Sequence, residues 1–585
     1  MTDLLTGHAA PAAPAAPVLE RIDRMEALLG DPHDPANPLG HAAVLAADER
    51  GELLLEGERV LAGFGLAAEF VPAVLGGRFE RADRFAQLMR ALFRRDCALG
   101  IGHGVTSFIA GLPVWADGSE AQRRRAADLL LSGGRIAAAY TELDHGSDFA
   151  RISLAARPTP DGYVLDGGKQ LVNNVGRAEA AVLFARTGDG PGSRGHSHFL
   201  VDLDDRTERS RRYATSGVRG CRLGGIDFDA FPVPEDALVG APGAAMETVL
   251  KVFQVTRSVL PGMVVGVGDT QLRTVLDFTA RRHLYGRPVA ELPEVRAALT
   301  DAFVDLLICD ALSAVAARSL HLLPHESSVR SAAVKYLVPK FLQDSSYRLG
   351  TVLGARSYLR EGPYAVFQKA ARDLPVVALA HASGAVCLSN IVPQLPRLAQ
   401  RILAGEAAPA PDALFRLDDP LPELDFGRLE LTTRGADTLA GQLTMFAEAE
   451  QTAEHPELAE LARLFAAELR ELARRAAALP PRDRTPVAGR RAFLLAERYT
   501  LLLAAAACLG IRHTADGGFT ADPLWATAAL HRLAQRLGLR HGPLPEPLVA
   551  RLAGELAARH EADLTFDLYR GRLARRSAPD RGVTP

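Results

Sequence analysis

The spacing of hydrophobic residues changes along the chain and separates regions of different secondary structure. Residues 20–135 are mostly helical in pattern, and residues 246–404 show the three- and four-residue spacing of helices that bury one face. One such stripe is Leu299, Ala302, Phe303, Leu306 and Cys309. Between them, residues 136–245 hold short apolar segments separated by Gly, Asp and Pro, a pattern typical of a small β-barrel or sandwich. The order predicted is therefore helix, β, helix.

The last third of the chain returns to a helical pattern after a break. Residues 405–425 are rich in Pro and Asp and are predicted to form a linker. Residues 426–575 are rich in Ala, Leu, Arg and Glu and are predicted to form an additional C-terminal helical domain. Residues 1–19 and 576–585 are predicted to be disordered tails. The fold class expected is α+β, mainly α.

Composition adds limits to this picture. A length of 585 residues with 48% hydrophobic and 23% charged residues is typical of a soluble protein of several units. The net charge of −3 gives no overall electrostatic case for nucleic acid or a membrane as a partner. The N-terminus has no apolar core of a signal peptide, and no uninterrupted apolar run of about 18 residues is present, so we expect no membrane span.

The five cysteines are scattered, without the close pairs of a zinc site. They are Cys97, Cys221, Cys309, Cys387 and Cys508. This spacing fits a reducing compartment, and we expect a cytoplasmic protein without a metal site.

The β region opens with Tyr140-Thr141-Glu142-Leu143-Asp144-His145-Gly146-Ser147-Asp148, and further blocks follow it. They are Asp166-Gly167-Gly168-Lys169, Val218-Arg219-Gly220, Val233-Pro234-Glu235-Asp236, Arg282-His283-Leu284-Tyr285-Gly286-Arg287, Leu353-Gly354-Ala355-Arg356-Ser357-Tyr358 and Arg372-Asp373. In this order they resemble the acyl-CoA dehydrogenase and oxidase superfamily over roughly residues 35–400. The resemblance implies that family's fold, which has an N-terminal helical domain, a β-barrel or sandwich and a helical bundle, here with extra C-terminal helices.

The resemblance also implies FAD as cofactor and an acyl thioester as substrate. The residues that it assigns to FAD are Tyr140, Thr141, Ser147, Leu171, Asn173, Arg282, Tyr285, Gly354 and Ser383. It assigns Ser147 and Arg257 to the substrate, with Arg257 at a helix start. The amide of Asn173 could donate near flavin N5, Arg282 would reach the pyrophosphate of a neighbouring subunit's FAD, and Gly354 would let the backbone approach a pyrophosphate.

Three positions depart from the family's pattern. Leu171 stands where many members have a Trp packed on the flavin, Ala355 replaces a second Gly, and Pro293 stands where the family has a Gln near the adenine. These changes weaken parts of the implied FAD site.

The catalytic base departs as well. The family uses a Glu on the loop after Arg372-Asp373, where this chain has His381. Members that carry the base elsewhere have a Glu at the position of Thr256. Three interpretations stay open. His381 is the base, since a neutral imidazole is available near pH 7; another carboxylate, Glu361 or Glu142, reaches in; or desaturation is replaced by a different reaction or by none.

The leading hypothesis is an FAD-dependent oxidoreductase that desaturates an acyl thioester at its α,β bond in specialised metabolism. The acyl group would be carried on coenzyme A or on an acyl-carrier protein, and the electrons would pass to an electron-transfer flavoprotein or to O₂. The resemblance implies a homodimer or homotetramer.

Three alternatives remain: flavin-dependent oxygenation of a tethered acyl chain, a DNA-binding flavoprotein like those of the alkylation response, and a flavin-free scaffold. We do not expect nucleic acid as a partner, because Arg474 and Arg475 lie among glutamates as on a solvated helix face.

Overall fold

The structure is a computed structural model. It describes residues 17–188, 192–204, 207–210, 212–380, 382–406, 408–450, 455–540 and 542–574. The predicted tail at residues 576–585 and most of the one at residues 1–19 lie outside these ranges. The first helix begins at Val18, inside the stretch predicted as a tail.

The N-terminal region is helical. Its helices are α1 (Val18–Leu29), α2 (His41–Arg50), α3 (Leu55–Phe64), α4 (Ala82–Arg95), α5 (Cys97–Gly100), α6 (Thr106–Asp117) and α7 (Glu120–Leu131). A π-helical stretch, Ile101–Val105, joins α5 to α6. Ser119 begins α7 with a capping box, because its hydroxyl accepts from the Gln122 backbone while the Gln122 side chain accepts from the Ser119 backbone.

The middle region forms one mixed sheet with its own apolar core. Its strands are β1 (Ile136–Ala139), β2 (Ala155–Thr159), β3 (Gly162–Asn173), β4 (Ala180–Arg186), β5 (His196–Asp202), β6 (Glu208–Ser210), β7 (Leu223–Pro234) and β8 (Leu238–Val239). They lie in the order β6-β7-β3-β2-β4-β5-β8, and β1 pairs in parallel with β4. Leu165, Phe199 and Ile226 are among the buried side chains of this core.

Long helices follow the sheet. They are α8 (Ala245–Arg281), α9 (Pro293–Leu322), α10 (Ser327–Leu353), α11 (Val366–Asp373), α12 (Pro375–Leu379), α13 (Gly384–Ile391) and α14 (Leu395–Ala404). A short hairpin of β9 (His283–Leu284) and β10 (Arg287–Pro288) joins α8 to α9. The stripe predicted on α9, which includes Phe303 and Leu306, is buried.

The C-terminal helices share a core with the rest of the chain. They are α15 (Thr438–Glu450), α16 (Pro456–Ala477), α17 (Arg490–Thr514), α18 (Gly518–Ala521), α19 (Pro523–Leu537) and α20 (Glu546–Glu561). One continuous cluster of buried hydrophobic residues runs from the N-terminal helices through α8–α10 into α15–α20. The additional helices therefore pack against the helical bundle and do not enclose a separate core.

The segment predicted as a linker is packed as well. Phe415 is buried, and Arg318 on α9 donates to the carbonyl oxygens of Ala413 at 2.6 and 2.8 Å and of Leu417 at 3.0 Å. The Pro- and Asp-rich composition indicated irregular backbone but not its attachment to a buried arginine.

The fold class predicted, α+β and mainly α, is confirmed. The lack of an uninterrupted apolar run does not exclude helices that meet the length and composition of a membrane span. Four helical stretches are long and apolar enough to cross a membrane by length and composition, although no uninterrupted apolar run marks them. Three of them are mostly buried inside the fold, and the fourth, Val366–Ala404, is less buried.

Candidate functional site

The segment from Tyr140 to Ser147 leaves the end of β1 and forms one wall of the candidate site. The Tyr140 ring is buried against Phe253 of α8, with ring centres 5.4 Å apart. The Thr141 carbonyl accepts from the Gln170 backbone at 2.8 Å, which holds the wall to β3. Thr141 is half-buried and Ser147 is exposed, and neither hydroxyl hydrogen-bonds to any of the described residues. Both predicted hydroxyls are therefore available to a ligand.

Glu142, in the same segment, has a structural role. Its buried carboxylate pairs with Lys169 at 2.8 Å and accepts from the backbone of Ser153 at 2.6 Å and of Leu154 at 3.1 Å. Burial alone would raise the pKa of Glu142, but Lys169 and these backbone donors outweigh it and lower the pKa. A carboxylate with this many partners is a poor base, so Glu142 does not supply the missing function.

Asn173 is held by protein groups at both ends of its amide. The nitrogen donates to the Ile101 carbonyl at 3.2 Å and lies 3.3 Å from the Thr106 hydroxyl, and the oxygen accepts from the Arg222 backbone at 3.1 Å. Because its amide nitrogen is engaged by these two protein groups, Asn173 has no free N–H to donate to the flavin as predicted. Leu171, two residues earlier, has a φ of 54° beside an irregularity in the β3–β7 pairing. The bulge turns the strand at the position where the family carries its Trp.

Arg257 lies in the interior of α8 and not at a helix start, which corrects the prediction. Its side chain is buried one turn after Phe253, the residue that packs on Tyr140. No described acidic residue pairs with it, its Nε has no hydrogen-bond partner, and burial lowers its pKa. A buried charge without a counter-charge is costly, so its presence next to this wall marks a place for a polar ligand.

The loop that would carry the base is only partly described. His381 lies outside the described residues. Ser383 begins α13, and its hydroxyl accepts from the Val386 backbone at 3.4 Å. Ser383 therefore acts as a helix cap in this structure, in place of the predicted contact with the flavin.

Lys335 is a residue of this site that the sequence reasoning missed. It is buried on α10, and its ammonium donates to the carbonyl of Val377 within α12. Burial, with Arg257 adding, lowers its pKa to about 8. The signal that the sequence offers is the rarity of lysine, with only five in the chain, and three of them, Lys169, Lys335 and Lys369, are buried in the structure.

Three predicted residues lie on the outside of the molecule. Glu361 is exposed between α10 and α11, where water solvates its carboxylate. Arg282 is exposed at the end of α8, and Tyr285 is 88% exposed in the β9–β10 hairpin. The exposed position of Arg282 and Tyr285 leaves both free to contact a second subunit.

A half-open cavity of about 880 Å³ lies beside Gly354, and we call it the Gly354 cavity. It is lined by residues that include Thr215, Arg219, Tyr347, Gly354, Tyr358 and Arg360. Gly354 ends α10 with a φ of 61°, a conformation that favours glycine, and a Cβ there would meet no atom within 4 Å. Backbone, hydroxyl groups and arginines thus meet around a space large enough for part of a dinucleotide.

The Arg372-Asp373 motif holds two regions together. Asp373 accepts from the Val218 backbone at 2.6 Å and pairs with Lys369 at 2.6 Å. A Cβ on Gly217 would lie 2.0 Å from the Arg372 carbonyl, so only glycine permits this approach. The motif holds the end of α11, and with it the start of the segment that leads to His381, against the β region.

No group of three or more His, Cys, Asp or Glu side chains within the described part of the chain could hold a metal ion.

Family comparisons match the same part of the chain. Residues 137–231 match the model "Acyl-CoA dehydrogenase, middle domain", and residues 245–393 match "Acyl-CoA dehydrogenase, C-terminal domain". The human mitochondrial short-chain specific acyl-CoA dehydrogenase is 27% identical over 243 residues, which are 41% of this chain and 59% of the relative. This chain thus matches less than two thirds of that relative's length.

Solved structures share the fold. The FAD complex of PigA has a TM-score of 0.57 at 19% identity, covering 66% of this chain and 96% of that one. The prolyl acyl carrier protein oxidase AnaB has a TM-score of 0.57 at 17% identity, covering 64% of this chain and 97% of that one. The part of this chain beyond that coverage has no counterpart in either structure.

Proposed function

We propose that the chain is a member of the acyl-CoA dehydrogenase superfamily, whose middle-domain and C-terminal-domain models match residues 137–231 and 245–393, and that it is an FAD-dependent oxidoreductase that desaturates an acyl thioester. The acyl group is carried on coenzyme A or on an acyl-carrier protein. The fold that this chain shares with AnaB, a prolyl acyl carrier protein oxidase, supports the second carrier as well as the first.

The single observation that carries the proposal is the buried, unpaired Arg257 behind the Tyr140 wall. Its guanidinium has no described acidic partner and lies on the helix face that also presents Phe253 to Tyr140. A thioester carbonyl or the amides of a pantetheine arm would supply the missing acceptors. Arg257 would then orient the acyl group against the wall that carries Thr141 and Ser147.

The residues present fit FAD in two places. Thr141 and Ser147 offer free hydroxyls at the end of β1, and the Gly354 cavity offers room for a pyrophosphate with arginines at its rim. Bound FAD would supply hydride acceptance from the acyl β-carbon. Since Arg282 and Tyr285 face outward, we also propose a homodimer or homotetramer in which they reach a neighbouring subunit's cofactor.

We assign the proton transfer to His381. Glu142 is fully engaged by Lys169 and backbone donors, and Glu361 is exposed, so neither carboxylate suits the role. A neutral imidazole would take the α-proton while Arg257 binds the acyl group. A histidine base in place of the family's Glu favours an unusual acyl substrate, as in specialised metabolism.

The decisive experiment mixes the purified protein anaerobically with a panel of acyl-CoA and acyl-carrier thioesters and follows the flavin's visible band. At least one thioester should bleach the band, and His381→Ala should abolish bleaching while FAD stays bound. His325→Ala, which changes an exposed histidine elsewhere, is the matched control and should bleach normally. A yellow protein that no thioester bleaches would overturn the proposal. Reoxidation by O₂ or by an electron-transfer flavoprotein then identifies the acceptor.

A DNA-binding role receives less support. Arg474 and Arg475 share the carboxylate of Glu471, at 2.6 and 2.7 Å, so this helix face carries acidic as well as basic charge. All five cysteines are free and buried, which agrees with our proposal of a cytoplasmic location.

A further inference from the structure

A second cavity lies among the N-terminal helices, at the opposite end of β1 from Tyr140. It has a volume of about 830 Å³ and is bounded by α1, the end of α3, the π-helical stretch, the end of α7 and the residue before β1. We call it the α1–α7 cavity. It shares no lining residue with the Gly354 cavity, and neither Thr141 nor Ser147 lines it.

Cations dominate its polar lining. Arg21, Arg24, Arg78 and Arg135 line it, with Glu20 as the acidic residue among the lining side chains. His103 joins them from the π-helical stretch. A space with this surplus of positive charge favours an anion.

A carboxylate also lies behind the cavity wall. Glu69 is shared by Arg21 at 2.8 Å and Arg78 at 3.4 Å, so one carboxylate serves two guanidinium groups. Burial and the neighbours Arg21 and Arg24 lower the pKa of Arg78, although Glu69 opposes them. The side chains that line the cavity therefore include more guanidinium groups than carboxylates.

The other two arginines have still fewer partners. Arg24 stacks on the Phe64 ring at 5.6 Å and pairs with no described acidic residue. Arg135 lies 3.8 Å from Glu58, which is also bound by Arg177 at 2.7 Å. Among the described residues, no hydrogen-bond acceptor meets the buried Nε of Arg135. The backbone N–H of Arg135 donates to the carboxylate of Glu179 at 2.7 Å, so this carboxylate bonds to the backbone of Arg135 and not to its guanidinium. A buried donor without an acceptor is uncommon unless a ligand supplies one.

The shape and the remaining lining narrow the ligand class. Leu66, Phe70, Leu130 and Leu131 also line the cavity, so it combines apolar side chains with several guanidinium groups. One carboxylate satisfies a single arginine fork, whereas a phosphate or pyrophosphate offers oxygens to several. The volume is within the range of small-molecule sites.

The π-helical stretch adds an independent indication. Such stretches are rare and occur often at functional sites. This one places His103 at the cavity, while its Ile101 and Gly102 carbonyls accept from Asn173 and Asn174 at the end of β3.

From these observations we propose that the α1–α7 cavity binds a phosphate-bearing ligand of nucleotide size, at a site separate from the one that holds FAD and the thioester. A free nucleotide and the nucleotide part of a larger molecule share this chemistry.

The test is isothermal titration calorimetry on the full chain, which is first saturated with FAD. ADP is titrated into one sample and inorganic pyrophosphate into another. We expect saturable binding of ADP that weakens as salt is added, and about tenfold weaker binding in Arg24→Gln and in Arg135→Gln. Arg59→Gln, which changes an exposed arginine of α3 outside the cavity, should bind within about twofold of the wild type. Arg24 is itself exposed, so its variant is expected to fold.

The outcomes separate this proposal from the proposed function. Absence of binding by both probes, or binding that Arg24→Gln leaves unchanged, would overturn the α1–α7 site whatever the flavin experiment shows. An equal loss in Arg59→Gln would overturn it too, since only general charge would then be responsible. ADP binding much tighter than pyrophosphate would support a nucleotide in contact with the apolar lining residues, and equal binding would support recognition of the phosphates alone. Arg360→Gln, at the Gly354 cavity, should leave ADP binding intact; if it alone weakens ADP, the ligand is occupying the FAD region and the proposal fails.

Discussion

Arg318 and Arg257 are buried arginines on the adjacent helices α9 and α8, and their surroundings differ completely. Arg318 pairs with Asp83 at 2.8 Å and donates to carbonyl oxygens of the segment after α14. Arg257 has no described acidic partner and no hydrogen bond to Nε. The first arginine joins parts of the chain that are distant in sequence, and the second stands beside the candidate site.

The same contrast extends to the wider molecule. Buried charges around the C-terminal helices occur in matched groups, as where Arg532 binds Asp305 at 2.9 Å and where Arg330 contacts Glu326 and Asp437. Near the base loop, Arg257 and Lys335 are both cationic and buried without a described carboxylate. Pairing of buried charge therefore separates residues that hold the fold together from residues kept for a ligand.

The largest effect is expected where a paired arginine is removed. Arg318→Met would leave Asp83 with one fewer partner and several carbonyls without donors, at a cost of about 3–5 kcal/mol in the free energy of unfolding. Guanidinium chloride unfolding measures this. Arg474→Met, at an exposed pair, should show no measurable change. Equal stability of the two variants would contradict a structural role for the buried pairing of Arg318.

Lys335→Met should raise the free energy of unfolding, whereas Arg318→Met should lower it. The pKa of Lys335 is lowered from 10.5 to about 8 by burial, so the folded protein carries the full penalty of the buried charge below pH 8. As pH rises from 8 to 10.5 the folded state binds fewer protons than the unfolded state, and the wild type gains stability. We expect Lys335→Met to be more stable than the wild type by about 2–3 kcal/mol at pH 7, with the gain disappearing towards pH 10.5.

Urea unfolding at several pH values between 7 and 10 measures that difference. Lys251→Met, which replaces a partly exposed lysine paired with Glu247, should show no such gain at pH 7. A loss of stability in Lys335→Met at every pH would mean that its bond to the Val377 carbonyl outweighs the cost of burying the charge.

Arg257→Met should weaken the ligand and spare the fold. We expect unchanged or higher stability, because an unpaired buried charge is removed. Thioester binding, followed by perturbation of the flavin spectrum, should weaken about tenfold, which corresponds to about 1.4 kcal/mol. Arg281→Met, at the exposed end of the same helix, is the control. Strong destabilisation without loss of binding would place Arg257 with Arg318 among the structural arginines.

The smallest effect is expected at Ser383. Ser383→Ala removes the cap of α13 and should cost about 0.5–1 kcal/mol in the free energy of unfolding, with FAD affinity unchanged. Ser383→Asn keeps a capping side chain and should recover the stability. A large fall in FAD affinity in Ser383→Ala, without the same fall in Ser383→Asn, would support the contact between Ser383 and the flavin that the sequence predicted.

Much of the fold could be predicted because its signals are local. The three- and four-residue spacing placed the buried face of α9, and frequent Gly, Asp and Pro turns marked the strands between β1 and β8. Within the site, Thr141 and Ser147 both lie in the segment that follows β1. This position could be predicted because neighbouring residues encode the end of a strand and the turn after it. Gly354 follows the same logic, since a positive φ tolerates few other residues.

The errors occurred where a role depends on partners far along the chain. Asn173 looked free in sequence, but its amide meets Ile101, Thr106 and Arg222. Arg257 looked like a helix start because the motif gives no sign that α8 begins at Ala245.

By itself, the sequence determined the order of helical and β regions, the family resemblance and the hydroxyl-bearing turn after β1. Tertiary structure alone decided which buried charges are paired: Arg318 meets Asp83 across 235 residues, while Arg257 and Lys335 meet no described carboxylate. It also brought Arg24, Arg78 and Arg135 from three separate segments to one cavity. The physical reason is that periodicity and turn chemistry act over a few residues, whereas the solvation and pairing of a charge depend on every segment that packs around it.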